Sequence, residues 1–226
     1  MDNQIDFISS TVLLGINLSD NIFNKHISNT VRNFYCRSNE LLFDFSTICY
    51  DLKSRLMSTY CMDLCASSLC NFRKHDDVEE LYVAWRKVIR RLWKLPNTNH
   101  CNLLHTINNC LPIDVILEKR CAKFVWSCIN SKNNIVKSIS TSATSNPFSD
   151  FADNYKYITY KYKIPVRAWR LPICHIFKLF DVYIENHVEH SHYGYMIREL
   201  CLQRNCESFI LTSTELSMLI EYLCTI

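Results

Sequence analysis

The sequence predicts a mostly α-helical protein: a helical bundle followed by a smaller helical lobe, with at most a few short strands. Three observations predict it. Only two glycines, Gly15 and Gly194, occur in 226 residues, and folds rich in hairpins or built as barrels need glycine at their positive-φ turns. Apolar residues recur every three to four positions in segment after segment, as one face of a helix requires. About half the residues are apolar, 48%, which is enough to build a real core and excludes a disordered chain.

Along the chain, Thr11–Ile16 (TVLLGI) reads as a lone short strand closing on Gly15. A helix is predicted over Asn21–Phe45, through Ile22, Ile27, Val31, Phe34, Leu41, Leu42 and Phe45, with Ser19 or Asp20 as its N-cap. Asp51–Leu69 is a second helix and Asp76–Leu95 a third, stopped by Pro96. His100–Asn109 reads as a short helix or turn. Pro112 suits the first turn of a helix running to about Ile129, with Ile113, Ile116, Leu117, Phe124, Val125 and Cys128 on one face. Ser138–Asp153 is rich in Ser, Thr and Asn and contains Pro147, so residues 138–154 read as a flexible linker. Tyr155–Ile164 (YKYITYKYKI) alternates and reads as a strand. Helices follow near Ile173–Val188, Tyr195–Gln203 and Ser213–Cys224. The expected organisation is a helical region over 1–137, the linker, and a helical lobe over 155–226.

Several function classes drop out. With two glycines the chain has no glycine-rich phosphate loop. No apolar run is long enough to cross a bilayer, and the opening MDNQID has no basic leader region. Thirteen cysteines without a single CxxC pair read as reduced thiols, mostly small buried hydrophobes, and point to an intracellular protein, cytoplasmic or nuclear.

Charge carries the most information. The net charge is only +3, but Leu81–Pro96 (LYVAWRKVIRRLWKLP) holds Arg86, Lys87, Arg90, Arg91 and Lys94 with no acid between them. On a helix these five share one arc, opposite Leu81, Ala84, Trp85, Val88, Ile89, Leu92 and Leu95, while Tyr82 and Trp93 mark a border. Asp76, Asp77, Glu79 and Glu80 open the segment, where the helix dipole favours negative charge. Like charges at i,i+4 each cost the helix about 0.2–0.5 kcal/mol, so a polyanion that supplies counter-charge is the functional reading. The alternatives are a solvated face, or one paired with acids elsewhere in the chain, and a helix for a membrane surface or a calmodulin-like partner.

The surrounding residues resemble a stretch downstream of the polymerase palm in LINE-type (jockey-like) non-LTR retrotransposon reverse transcriptases. The shared pattern is Tyr82, Ala84-Trp85-Arg86-Lys87, Arg90-Arg91-Leu92, Leu95-Pro96, His100, Leu103-Leu104 and Leu111-Pro112. Leu13-Leu14-Gly15 onward is similar to the segment joining palm to thumb, and the stretch from Met196 is similar to the end of such reading frames. The resemblance spreads over nearly the whole chain and is weakest in Ser138–Asp153. It implies a thumb-like helical bundle and post-thumb lobe of an RNA-directed DNA polymerase, gripping RNA or an RNA–DNA duplex through its backbone. Arg86, Lys87, Arg90, Arg91 and Lys94 would make those contacts, with Lys119, Arg120 and Lys123 as weaker support. A polymerase palm in a longer product is a further implied partner; membrane is not.

Two departures stand out. The family's polymerases hold two metals with adjacent aspartates on a tight turn between apolar strands, whereas the adjacent pair here, Asp76-Asp77, lies within RKHDDVEE and opens a helix. The family's aromatic-Gly-Cys-x-Leu-Trp element corresponds to CMDLCASSLCNF, without the Gly and the Trp. The chain alone is therefore expected to have no catalytic residues, metal or cofactor. The competing class is a structural or protein-interaction helical module, or a retroelement remnant without function.

Other constellations are weaker. His187, His190 and His192, near Cys174, His175, Cys201 and Cys206, do not reproduce a zinc spacing. His100-Cys101 and Cys174-His175 are adjacent pairs, which do not set a base against a thiol. Arg167, Trp169, Arg170 and the tyrosines of 155–162 read as a tyrosine-rich sheet edge covering the core, with stacking on unpaired bases as the functional alternative. Trp126 reads as core.

Overall fold

The computed structural model describes residues 10–13, 16–19, 22–62, 75–97, 101–146, 148–188 and 192–206, and within them the protein is mostly α-helical. It opens with an antiparallel pair, β1 (Ser10–Leu13) and β2 (Ile16–Ser19), in which Leu13 faces Ile16 and Ser10 faces Ser19. The lone strand expected over Thr11–Ile16 is thus a hairpin, because a second strand satisfies backbone groups that a single one leaves open. Ser19 ends β2 rather than capping a helix, and Asp20 lies outside the described residues.

Helix α1 (Ile22–Asp44) follows the predicted spacing and buries Ile27, Phe34 and Leu41. Helix α2 (Tyr50–Leu56) runs into a π-helical turn at Met57–Cys61; the rest of the predicted second helix lies outside the described residues. Helix α3 (His75–Leu92) is the predicted basic helix. It lies beside α1 and parallel to it: Ser28 Oγ donates to Glu80 Oε2 at 3.4 Å and Arg91 donates to Asn39 Oδ1 at 3.0 Å, so one offset holds at both ends.

A 3-10 turn at Cys101–Leu103 leads into α4 (Leu104–Ile107). Pro112 then precedes α5 (Ile113–Ile129), the central helix, which packs on α6 (Asn134–Ser145), α7 (Asp150–Lys161) and α8 (Ile173–His187). A 3-10 turn, Val166–Arg170, separates α7 from α8, and α9 (His192–Cys206) returns to pack on α4 and α2. Gly194 is what lets it approach: a Cβ there would lie 2.7 Å from Thr106 Cβ. The helix expected at Ser213–Cys224 lies outside the described residues.

Two expectations for the middle of the chain are corrected. Residues 138–145 of the expected linker are helical, as the end of α6. Asn133 caps that helix, its Oδ1 accepting from the Ile135 N–H at 2.9 Å. The Ser and Thr that suggest a loop donate back to the preceding turn instead: Ser140 to Val136 O at 2.6 Å and Thr141 to Lys137 O at 2.8 Å. Tyr155–Ile164 is not a strand, since α7 covers it to Lys161. Its local Tyr-Lys-Tyr alternation is overridden by the longer spacing of Ala152, Ile158 and Tyr162, all buried, with Asp150 and Asp153 in the first turn, where the dipole favours acids. One continuous apolar cluster runs from Phe34 to Cys201 through both of these helices' neighbours.

Glycine scarcity shows at the helix ends. Lys94, Asn109 and Lys163 adopt φ of 52°, 48° and 50°. Each closes its helix with the same paired bonds. Lys94 N–H reaches Arg91 O at 3.2 Å and Leu95 N–H reaches Arg90 O at 2.8 Å; Cys110 and Ile164 N–H groups do as Leu95 does, to His105 O at 3.0 Å and Thr159 O at 2.9 Å. This closure usually employs glycine. Burial of the following Leu95 and Ile164 holds a lysine in a conformation costing about 1–2 kcal/mol. Among the described residues no helix is long and apolar enough to cross a membrane.

Candidate nucleic-acid interface

The apolar face of α3 is the firmest part of the core. Val78, Leu81, Ala84, Trp85, Val88 and Ile89 are all at or below 3% exposure, so the rotation of the helix about its axis is set and its basic arc must face outward. Trp93, expected at the border, is instead buried past the helix end, stacked on Tyr50 at 5.3 Å and donating to Asn108 Oδ1 at 2.9 Å.

The basic arc is not uniform. Arg86 is half-buried and paired with Glu79, two turns earlier on the same helix. Arg90, also half-buried, donates to Cys101 Sγ at 3.5 Å. Arg91 is exposed and leans on Asn39 of α1. Lys87 and Lys94 are exposed and, among the described residues, form no hydrogen bond or ion pair with a carboxylate. Lys94 stands near the buried Lys53, whose ammonium is pushed down by burial and further by the Lys94 charge, while donating to Ser46 O at 2.7 Å. The like-charge cost along the arc is relieved by turning Arg86 and Arg90 one way, Arg91 the other, and taking Lys94 off the helix.

The three weaker candidates on α5 do not join this surface as a set. Lys119 pairs with Asp181 at 3.2 Å and lies over the Phe177 ring at 4.9 Å. Arg120 donates to Met62 O at 3.0 Å. Lys123 is exposed. One cation escaped the sequence reading: Arg32, exposed on α1, shares the helical stripe of Ser28 and Asn39, the two residues that meet α3. Burial raises the Tyr35 phenol on that stripe and the Arg91 charge partly offsets it, which sets Arg91 against this edge. A polar Ser28–Arg32–Asn39 spacing was the available signal.

Also missed was Glu118. It lies on a cavity of about 740 Å³ walled by α3, the Cys101–Leu103 turn, α5, α7 and α8, where Arg86 and Glu79 also sit. Glu118 is 2% exposed and fully engaged. Tyr157 donates to it at 3.0 Å, Lys161 at 2.8 and 2.9 Å, and the Tyr162 hydroxyl also donates. Burial and then the Glu118 charge push the Tyr162 phenol far up. At Lys161 burial pulls the ammonium down, but Glu118, Tyr157 and Asp114 outweigh it and the net shift is upward. A lone Glu in the stripe Val115, Glu118, Cys121, Ala122, Val125 was the sequence signal. The arrangement is a buried acid–base lock between α5 and α7.

The remaining constellations resolve as local contacts. His187 stacks on Tyr183 at 4.2 Å; His190 and His100 lie outside the described residues, as does the His192 side chain. Cys174 Sγ lies 3.6 Å from the adjacent His175 Nδ1. Among the described residues no three His, Cys, Asp or Glu side chains stand where they could share a metal. Nine described cysteines are free thiols, and Cys36, Cys49, Cys101 and Cys174 are exposed rather than buried. Asp76 and Asp77 lie in the first turn of α3. Trp126 is half-buried and donates to Leu171 O at 2.7 Å.

Comparison with protein-family models, with curated proteins and with solved structures finds no match to this chain.

Proposed function

We propose that this chain is the thumb and post-thumb part of a LINE-type reverse transcriptase, an intracellular nucleic-acid-binding unit that grips a template–primer duplex through its backbone and carries no polymerase centre of its own. The observation that supports it most is the outer edge of α3. Lys87, Arg91 and Lys94 are exposed there beside the exposed Arg32 of α1, while the opposite face is locked in the core. Beyond Glu80 the helix presents cations with no acid interleaved, which suits phosphate, since phosphate needs charge and position rather than a sequence-reading side chain. Arg86 and Lys119 contribute less in this reading, since each already has an acid.

The test is duplex binding across a salt series. The wild-type chain binds an RNA–DNA hybrid with an affinity that falls steeply with salt. Lys87→Glu with Arg91→Glu weakens it and lowers the slope of log K against log salt by about one for each residue. Unaltered affinity and slope in that double variant would exclude the α3 edge as the grip.

A second reading, a protein-interaction module, has its own observation. Ile135 and Ile139, one turn apart on α6, are 69% and 63% exposed, and Phe148 is 94% exposed. Hybrid binding that is absent at low salt would favour it.

A further inference from the structure

We propose a second binding site, for an unpaired nucleic-acid strand, on the surface built by α7 and the Val166–Arg170 turn. It goes beyond the duplex grip on α3 and does not depend on it. From Tyr155 to Phe180 the chain has six Lys and Arg and no Asp or Glu. One of the six, Lys161, is committed to Glu118. Lys156, Lys163, Arg167 and Arg170 are all exposed and, among the described residues, have no hydrogen-bond or ion-pair partner.

What sets this surface apart from α3 is an aromatic ring among the cations. The neighbouring tyrosines are used in packing: Tyr162 stacks on Phe180 at 3.6 Å and Tyr155 lies 5.0 Å from Trp169. Tyr160 is 89% exposed, with Lys156 one turn before it on α7 and Lys163 in the turn that closes the helix. Trp85 on α3 and Trp93 just past its end are buried and Tyr82 is half-buried, so no fully exposed ring stands among those cations. Cations alone hold a backbone; cations flanking a free ring also hold an unpaired base, which a duplex does not present.

The surface is shaped and firm. Tyr160, Lys156 and Thr159 line an open hollow of about 720 Å³, with Pro165 and Val166 across from them. Trp169 fixes that wall: it is 1% exposed, and its indole donates to Thr159 Oγ1 at 3.1 Å. Asn130, just past the end of α5, donates to the Trp169 carbonyl at 2.8 Å. On the 3-10 turn, with three residues per turn, Arg167 and Arg170 lie on one side, extending the charge beyond the hollow. A base stacked on Tyr160 would have its phosphates between Lys156 and Lys163.

The experiment uses the full chain with fluorescent oligo(U) and oligo(dT) of about twelve nucleotides, the size range of such sites, beside a hybrid duplex. Tyr160→Ala should weaken oligomer binding roughly tenfold while Tyr160→Phe retains it, because stacking is worth about that factor per base. Lys156→Gln and Lys163→Asn should each lower the oligomer salt slope by about 0.7; asparagine is chosen because residue 163 has φ 50°. Duplex affinity should hold in Tyr160→Ala, and oligomer affinity should hold in Lys87→Glu/Arg91→Glu, which separates this site from the α3 grip. The proposal is overturned if the wild-type chain binds neither oligomer, or if Tyr160→Ala binds them as tightly as wild type. Phosphatidylserine vesicles that displace the oligomers equally from wild type and Tyr160→Ala would also overturn it, by reducing the surface to charge alone.

Discussion

Two acid–base pairs border the same cavity and obey opposite rules. Arg86–Glu79 joins two residues of one helix, with both side chains partly in water, 26% and 48% exposed. Lys161–Glu118 joins two helices, with Glu118 at 3% side-chain exposure and two tyrosine hydroxyls filling its remaining acceptor positions. The first forms because helix spacing brings its partners together. The second forms only after α7 has packed against α5, and once formed it must be complete, since a buried carboxylate without partners is costly. A pair worth little can be read along the chain, whereas a pair on which the packing depends cannot.

The comparison predicts effects of very different size. Glu118→Ala should have the largest, a loss of about 3–5 kcal/mol, because it strands the Lys161 ammonium and two hydroxyls. Urea unfolding measures it, and a cost no greater than that of a surface substitution would erase the distinction. Next is alkaline unfolding. Free tyrosine and lysine lose their protons near pH 10, but folded Tyr162 and Lys161 hold theirs to higher pH. Their stabilisation is therefore complete below about pH 10 and drains away as pH rises above it. Tyr162→Phe should flatten that decline, as followed by unfolding free energy against pH.

Smaller again is Lys94→Gly, which should raise stability by about 1 kcal/mol by removing the strain of a lysine at φ 52°. The same variant weakens hybrid binding if Lys94 is part of the grip, so the melting temperature and the affinity move in opposite directions. Smallest is Arg86→Gln. A partly solvated pair is worth about 0–1 kcal/mol, and a melting-temperature change comparable to that of Glu118→Ala would show Arg86 to be part of the buried lock.

Legibility followed the same division. The α3 helix, its buried face and its basic arc were readable because Leu81, Trp85, Val88, Ile89 and Leu92 repeat with helical period to the end of the helix and nothing distant alters that. Helices α1, α5 and α8 were readable for the same reason. Misreading came where short windows and composition stood in for period. The Tyr-Lys alternation at 155–157 imitates a strand, and the Ser/Thr content of 138–145 imitates a loop. In the site, the five cations of the arc were named correctly as to side, but their split between Glu79, Cys101 and Asn39 depends on what α1 and the Cys101 turn bring alongside. Arg32 was missed because the polar Ser28–Arg32–Asn39 spacing on α1 does not say which helix packs beside it.

The amino-acid order by itself determined the strongly periodic helices α1, α3, α5 and α8 and which face of the basic helix turns inward. These are properties of neighbours within a few turns, where backbone geometry alone decides who meets whom. Only the tertiary structure decided that Glu118 is buried, which cations remain open to solvent, and that Tyr160 stands free while Tyr162 is enclosed. Those outcomes are set by desolvation and by partners on other elements, such as Lys161 for Glu118 and Asn39 for Arg91, which become neighbours only when the helices pack.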